Sequence, residues 1–346
     1  MLPSPLAEDA GDRQSRLVDG FGRAHTDLRI SVTDRCNLRC TYCMPAEVVF
    51  RGREELLDFD EIARVAAVAA GLGVRTIRLT GGEPLMRRDL AGLVRRLVAV
   101  RGIEEVALTT NGLLLEEQAA DLHDAGLARL NVSLDALRAD VFERIARRSG
   151  LDRVLAGLAA AKRAGFPDVR INAVSIRGLT EDEIVPLARF CRREGFRLRF
   201  IEFMPLDAEE AWDRSRVLSG AEVRAILERA IGPLVAEGAA DPGQPARDYR
   251  WVDGGSVGFI DPVTRPFCDR CDRLRLTADG QFRNCLFSTT EWDARGVLRN
   301  GGSDEELATL LEACVAAKRA AHGIDTPAFQ RPRRLRAALP IPRRCH

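Results

Sequence analysis

Residues 27–43 read DLRISVTDRCNLRCTYC. The first half is a short apolar run, 28–32, of the kind that forms a strand, and three thiols follow it within eight residues, at Cys36, Cys40 and Cys43. Working outward, strand-like runs recur at 76–79, 106–109, 129–134, 169–174 and 196–203. Helical patterns lie between them at 60–71, 89–100, 116–126, 151–165 and 181–195, several closing on a glycine as a helix C-terminus does. Strand and helix alternate, which predicts an α/β fold around a parallel sheet buried on both faces. Polar residues collect just past the strand ends, at 80–83, 110–112, Ser133, Asp135, Glu202 and Met204, and that edge of a parallel sheet is where ligands bind.

After Pro205 the rhythm breaks. Residues 221–231 read as a helix, 236–247 as a Gly- and Pro-rich loop, 249–285 as short segments around three further cysteines, and 303–322 as a last helix. The expected division is a flexible N-terminal segment over 1–25, a partial barrel over 26–235, a C-terminal cluster and substrate-binding region over 236–330, and an Arg- and Pro-rich tail over 331–346.

Composition limits the function. The chain has 346 residues, 46% hydrophobic, with 52 basic against 51 acidic side chains and a formal net charge of +1. No global field marks a nucleic-acid or membrane binder, so any anion must be held locally. The positive charge is almost all Arg, with Lys only at Lys162 and Lys318. No run approaches the roughly 20 apolar residues of a membrane span, and no secretory pattern opens the chain; a cytoplasmic location is expected.

Nine cysteines include two tight groups, Cys36–Cys40–Cys43 and Cys268–Cys271–Cys285. A structural zinc site wants four ligands, whereas a [4Fe-4S] cluster held by three thiolates leaves one iron open to a ligand. Iron-sulfur chemistry is the preferred reading, zinc the alternative. Cys191 and Cys314 sit in helical patterns and read as core. Cys345 is the remaining tail thiol.

The motif CxxxCxxC, with Tyr42 before its last cysteine, resembles the signature of the radical S-adenosylmethionine (SAM) superfamily, and Thr80-Gly81-Gly82-Glu83-Pro84 resembles its second, SAM-holding motif. Together with TTNG at 109–112, NVSLD at 131–135, RFIEFMP at 199–205 and CDRCDRLR at 268–275, these pieces resemble the family of GTP 3′,8-cyclases, over about residues 28–285. The resemblance implies an incomplete (β/α)6 TIM-like barrel with a C-terminal auxiliary cluster region closing its mouth. It implies two [4Fe-4S] clusters, on Cys36, Cys40 and Cys43 and on Cys268, Cys271 and Cys285. It implies SAM contacts at Tyr42, Gly82, Ser133 and Met204, and GTP contacts at Arg29, Arg78, Thr109, Arg170, Arg199, Arg273, Leu274 and Arg275.

The implied reaction is radical cyclisation of GTP to (8S)-3′,8-cyclo-7,8-dihydroguanosine 5′-triphosphate, the opening step of molybdenum cofactor biosynthesis. The implied partners are a one-electron reductant such as flavodoxin or ferredoxin, the next enzyme, cyclic pyranopterin monophosphate synthase, and a second copy of the chain in a homodimer. On the residues themselves, Glu83 and the nearby backbone are expected to satisfy an ammonium. Three departures stand out: Arg170 and Thr76 occupy positions where the family generally has Lys, and the chain ends in Arg-Arg-Cys-His where the family usually ends in Gly-Gly. Two other readings stay open at this point, a radical SAM enzyme that modifies a peptide or small molecule, and a catalytically inactive iron-sulfur relative.

Overall fold

The computed structural model describes residues 17–206, 212–238, 243–324, 326 and 329. Its core runs β1 (Asp27–Ser31), α1 (Phe59–Gly71), β2 (Thr76–Thr80), α2 (Leu90–Val98), β3 (Glu105–Thr110), α3 (Leu115–Asp124), β4 (Arg129–Ser133), α4 (Ala139–Ala146), α5 (Leu151–Ala164), β5 (Val169–Ser175), α6 (Ile184–Glu194) and β6 (Arg197–Glu202). Alternation along the strands decides which residues meet the helices. Leu28, Ile30, Ile77 and Leu79 are fully buried under that layer, while Arg29 and Arg78 between them point to the concave side. The helices answer with apolar stripes such as Ile62, Val65, Ala66 and Ala69 on α1.

The C-terminal region continues the same sheet. It supplies α7 (Gly220–Ala230), β7 (Leu234–Ala236), β8 (Arg247–Trp251), β9 (Ser256–Ile260), β10 (Arg273–Leu276), β11 (Gln281–Arg283), β12 (Trp292–Asp293), α8 (Ala294–Arg299) and α9 (Asp304–Ala316). The strand order is β12-β11-β10-β1-β2-β3-β4-β5-β6-β9-β8-β7, with β10 parallel to β1 and β9 parallel to β6. The expected six-stranded partial barrel is therefore extended at both edges by later chain. This topology separates the two thiol groups. Cys36, Cys40 and Cys43 follow the C-terminal end of β1, whereas Cys268 and Cys271 precede the N-terminal end of the parallel β10 and Cys285 follows the antiparallel β11 back to that end. The second thiol group therefore lies at the opposite strand ends from the first.

Two expectations need correction. Residues 17–25, part of the segment expected to be flexible, are packed: Leu17 and His25 are fully buried, Val18 bridges Ala24, and the Arg23 guanidinium donates to the carbonyls of Cys268, Arg319 and Ala320. The last helix stops at Ala316 rather than 322. The remainder of the N-terminal segment and the tail at 331–346, including Cys345, lie outside the described residues.

Candidate active site

The first thiol loop is pressed against the turn after β2. Gly82 and Glu83 donate their backbone N–H groups to the carbonyls of Thr33 and Arg35, each at 2.7 Å. A Cβ at Gly82 would lie 2.2 Å from the Arg35 carbonyl oxygen, and one at Gly81 2.5 Å from that of Thr33. The paired glycines are what let these two loops touch. Glu83 behaves differently from the sequence expectation. It is buried, and its carboxylate accepts from the Leu85 and Asn111 N–H groups and from the Thr110 hydroxyl, the last two at 2.6 Å. Burial pushes it up to about 7 against those donors. A carboxylate so held braces loops, and it is the backbone of Gly81 and Gly82 that lines the cavity here.

Tyr42 likewise has its hydroxyl engaged, donating to Asp135 at 2.7 Å, while the other Asp135 oxygen accepts from the Val174 N–H at 2.7 Å. The phenol thus ties the thiol loop to the ends of β4 and β5. Ser133 ends β4, and Met204 follows β6 by two residues, both half-buried on the same rim.

The thiols are close enough to oppose one another's ionisation. Burial, then the charges of Glu83 and Cys43, push Cys36 up to about 11, with the Leu38 N–H pulling the other way; burial also raises Cys40 well above the ordinary thiol value, helped by Asp135 and Cys43. Three thiolates crowded in this way need a cation to exist, as a bound metal centre would provide. Among the described residues no three His, Cys, Asp or Glu side chains stand close enough as they are to grip one metal ion.

Below the thiols, the concave face carries arginines in register. Arg275 pairs with Arg29, Arg29 with Arg78, Arg78 with Ala107 and Ala107 with Arg129, so one row across five strands holds four arginines and a single small residue. A second row runs Ser133, Asn172, Arg199, Gly258. Gly258 leaves room for its neighbour, because a Cβ there would lie 3.1 Å from Arg199 Cγ and 2.4 Å from Asp248 Oδ1. Burial pulls Arg78 down to about 9, Arg275 to about 9 and Arg199 to about 10, with neighbouring guanidinium groups adding to each, yet all stay cationic at neutral pH.

Local acids compensate only in part. Asp27 lies 3.8 Å from Arg29 and 4.0 Å from Arg78; Asp168 binds Arg170 at 2.5 Å; Gln244 and Asp248 accept from Arg199 at 3.0 and 3.4 Å. The Nε atoms of Arg29, Arg78 and Arg129 are buried with no hydrogen-bond partner among the described residues. Orphaned cationic donors facing a shared space suit a polyanion. A cavity of about 740 Å³ joins this space to the first thiol loop, with Cys43, Gly82, Thr80, Ser31, Arg29 and Arg275 on its wall.

At the far end the second thiol group is more electropositive. Burial raises Cys271, but Arg273 and Lys318 outweigh it and bring the thiol down to about 7. Cys268 is raised by burial and by the charges of Cys285 and Cys271, so these three thiols also sense one another. On β10, Arg273 and Arg275 face the cavity side, as the alternation predicts. Leu274 does not: its side chain is fully buried under the helices, leaving only its backbone on the substrate side. Thr109 faces inward and accepts from the Asn131 amide at 3.4 Å. Arg129 was missed by the sequence reading, although Arg129, Asn131 and Ser133 alternate along β4 and the period of two puts them on one face. Its counterion Glu105, one strand away, was missed as well.

The comparisons agree with this architecture. The Radical SAM superfamily pattern matches residues 30–191, and that described as Molybdenum Cofactor Synthesis C matches residues 196–324. A GTP 3′,8-cyclase of Rhodopirellula baltica is 50% identical over 93% of this chain and 91% of its own length; one of Streptomyces coelicolor is 46% identical over 93% and 96%. Among solved structures, Streptococcus suis SuiB bound to S-adenosylmethionine superposes with a TM-score of 0.60 at 16% identity, over 83% of this chain and 68% of that one, a likeness of fold. Sequence, fold and the two thiol-lined ends of one arginine-lined barrel place this chain in the GTP 3′,8-cyclase family of radical SAM proteins.

Proposed function

We propose that this chain cyclises GTP to (8S)-3′,8-cyclo-7,8-dihydroguanosine 5′-triphosphate, with Cys36, Cys40 and Cys43 holding one [4Fe-4S] cluster and Cys268, Cys271 and Cys285 a second. The observation that carries the reading is the row Arg275–Arg29–Arg78, in which the Nε atoms of Arg29 and Arg78 have no hydrogen-bond partner among the described residues, set between the two thiol groups. When bound, the first cluster and SAM supply a one-electron cleavage that makes a hydrogen-abstracting radical.

The residues of the chain orient and exclude. The Gly81–Gly82 backbone and the rim at Ser133 and Met204 hold SAM beside the first thiols. Arg29, Arg78, Arg170, Arg199, Arg273 and Arg275 hold the triphosphate, trading intramolecular acids such as Asp27 and Asp168 for phosphate oxygens. The buried lumen keeps water and other hydrogen donors from the ribose. Thr76, facing the same side between Asp27 and Glu105, offers no cation; Arg129, one register row away, is placed to make up that charge. A soluble one-electron donor, the next enzyme of the pathway and a homodimer complete the proposed partners.

The test is anaerobic iron reconstitution, then dithionite, SAM and GTP. About eight iron per chain, with 5′-deoxyadenosine and a cyclised nucleotide formed together, is the expected result. SAM cleavage stimulated by a peptide and indifferent to GTP would overturn it in favour of a peptide-modifying enzyme.

A further inference from the structure

Lys318 lies two residues past the end of α9 and is buried. Its ammonium donates to the Cys271 sulfur at 3.4 Å and to the Arg273 carbonyl at 2.9 Å, and it also senses Cys285. The chain carries 52 basic side chains, of which only Lys162 and Lys318 are lysine. Lys162 is a half-exposed surface residue that caps α6 through the Glu194 carbonyl. Lys318 is thus the one buried lysine among the described residues, in a chain that elsewhere uses arginine. The site explains the choice. A compact ammonium fits a closed space holding one sulfur and one carbonyl, where a planar guanidinium would leave donors unmade.

We propose that Lys318 sets the reduction potential of the second cluster by donating an N–H···S bond and a full positive charge to the Cys271 thiolate. This rests on the reading of Cys268, Cys271 and Cys285 as cluster ligands. Reduction adds negative charge to a cluster and its thiolates, so a buried cation beside one sulfur favours the reduced form, and removing it lowers the potential. Arg273 and Arg275 also lie near these thiols, but they belong to the face that meets the triphosphate. Lys318 reaches Cys271 from the segment after α9 and bonds the β10 backbone at Arg273, away from the wall of the arginine-lined cavity. Its effect on the cluster is therefore separable from substrate binding.

The test uses the full chain with Cys36, Cys40 and Cys43 all changed to Ala, so that the remaining iron reports the second site. Reconstituted parent, Lys318→Met and Lys318→Arg are compared by iron content, by midpoint potential from an EPR-monitored redox titration, and by GTP affinity. All three should hold about four iron per chain. The potential should move negative in Lys318→Met and by less in Lys318→Arg, with GTP affinity unchanged. A bound cluster whose potential is the same in Lys318→Met and parent overturns the inference, as does an equal shift in the Met and Arg variants. Absence of iron from the parent itself would instead overturn the ligand assignment on which the inference rests. Should Lys318→Met fail to hold its cluster, Lys318→Gln, which keeps an N–H donor without the charge, carries the same comparison.

Discussion

Arg29 and Arg275 are register partners across the parallel pair β1–β10, although 246 positions of sequence number separate them. Two guanidinium groups one strand spacing apart repel, and burial deprives both of water. Removing Arg275 together with its strand neighbour Arg273 should therefore relieve the free protein while weakening its hold on a polyanion. Arg273→Ala/Arg275→Ala should lose GTP affinity by at least about 10- to 100-fold, the size of one lost charge-assisted hydrogen bond. Guanosine should lose much less. Anaerobic equilibrium titration of both ligands is the check, and an equal proportional loss for the two would show that these arginines do not read the phosphates.

The two thiol groups stand at opposite ends of the barrel, so their losses should differ in kind. Cys43→Ala should abolish reductive SAM cleavage. Cys285→Ala should leave some cleavage, uncoupled from any cyclised nucleotide. Quantifying 5′-deoxyadenosine and product in each folded variant decides it: equal loss of both in the two variants would contradict the proposed division of labour.

The six core strands were legible because the pattern in runs such as 28–32 and 76–79 is strong and local, and a cavity does open past the ends of β1 and β2. Arg273 and Arg275 were legible as a pair for the same reason, a period of two in RLRL. Their neighbours were not, since nothing in four residues says that β10 will lie beside β1. The position of Cys268 and Cys271 at the far opening follows from that pairing and was equally hidden. Glu83 shows a different limit: the sequence exposes a carboxylate beside two glycines, but only the fold reveals that Leu85, Thr110 and Asn111 already occupy it. Arg129 could have been found by continuing the alternation back from Ser133.

Leu274 separates the two faces of β10 experimentally. Its side chain is fully buried beneath the helical layer, whereas Arg273 and Arg275 on either side face the cavity. Leu274→Ala should destabilise the fold by about 2–5 kcal/mol through the cavity it leaves, with GTP affinity of the folded fraction little changed. Chemical denaturation alongside GTP titration tests this. A large affinity loss without destabilisation would assign the side chain to the substrate instead.

His25 should make stability depend on acid. Its ring is fully buried near Asp19 and Lys318, with Nδ1 3.3 Å from the Leu17 carbonyl and Nε2 3.7 Å from the Asp19 carboxylate but without a hydrogen-bond partner among the described residues. Burial, then the Lys318 charge, push its pKa down from 6.5 to about 4, against the pull of Asp19. The fold therefore holds a neutral imidazole, while the unfolded chain takes up a proton once pH drops below about 6.5. For a base with a depressed folded value, the stabilisation is fully present above the unfolded pKa and is lost as pH falls toward the folded one. Over the interval from 6.5 to about 4 the loss approaches about 3 kcal/mol, at 1.36 kcal/mol per unit. Buried acids titrate in the same range, Asp135 near 6 and Glu83 near 7, and they act in the opposite sense. The quantity to measure is therefore the stability difference between wild type and His25→Asn, by denaturant unfolding at several pH values from 7.5 to 4.5. The wild-type advantage should shrink steadily below pH 6.5. A difference independent of pH would mean that the ring titrates in the fold as it does in the unfolded chain, and an advantage that grows as pH falls would mean that it is protonated in the fold and paired with Asp19; either result overturns the assignment.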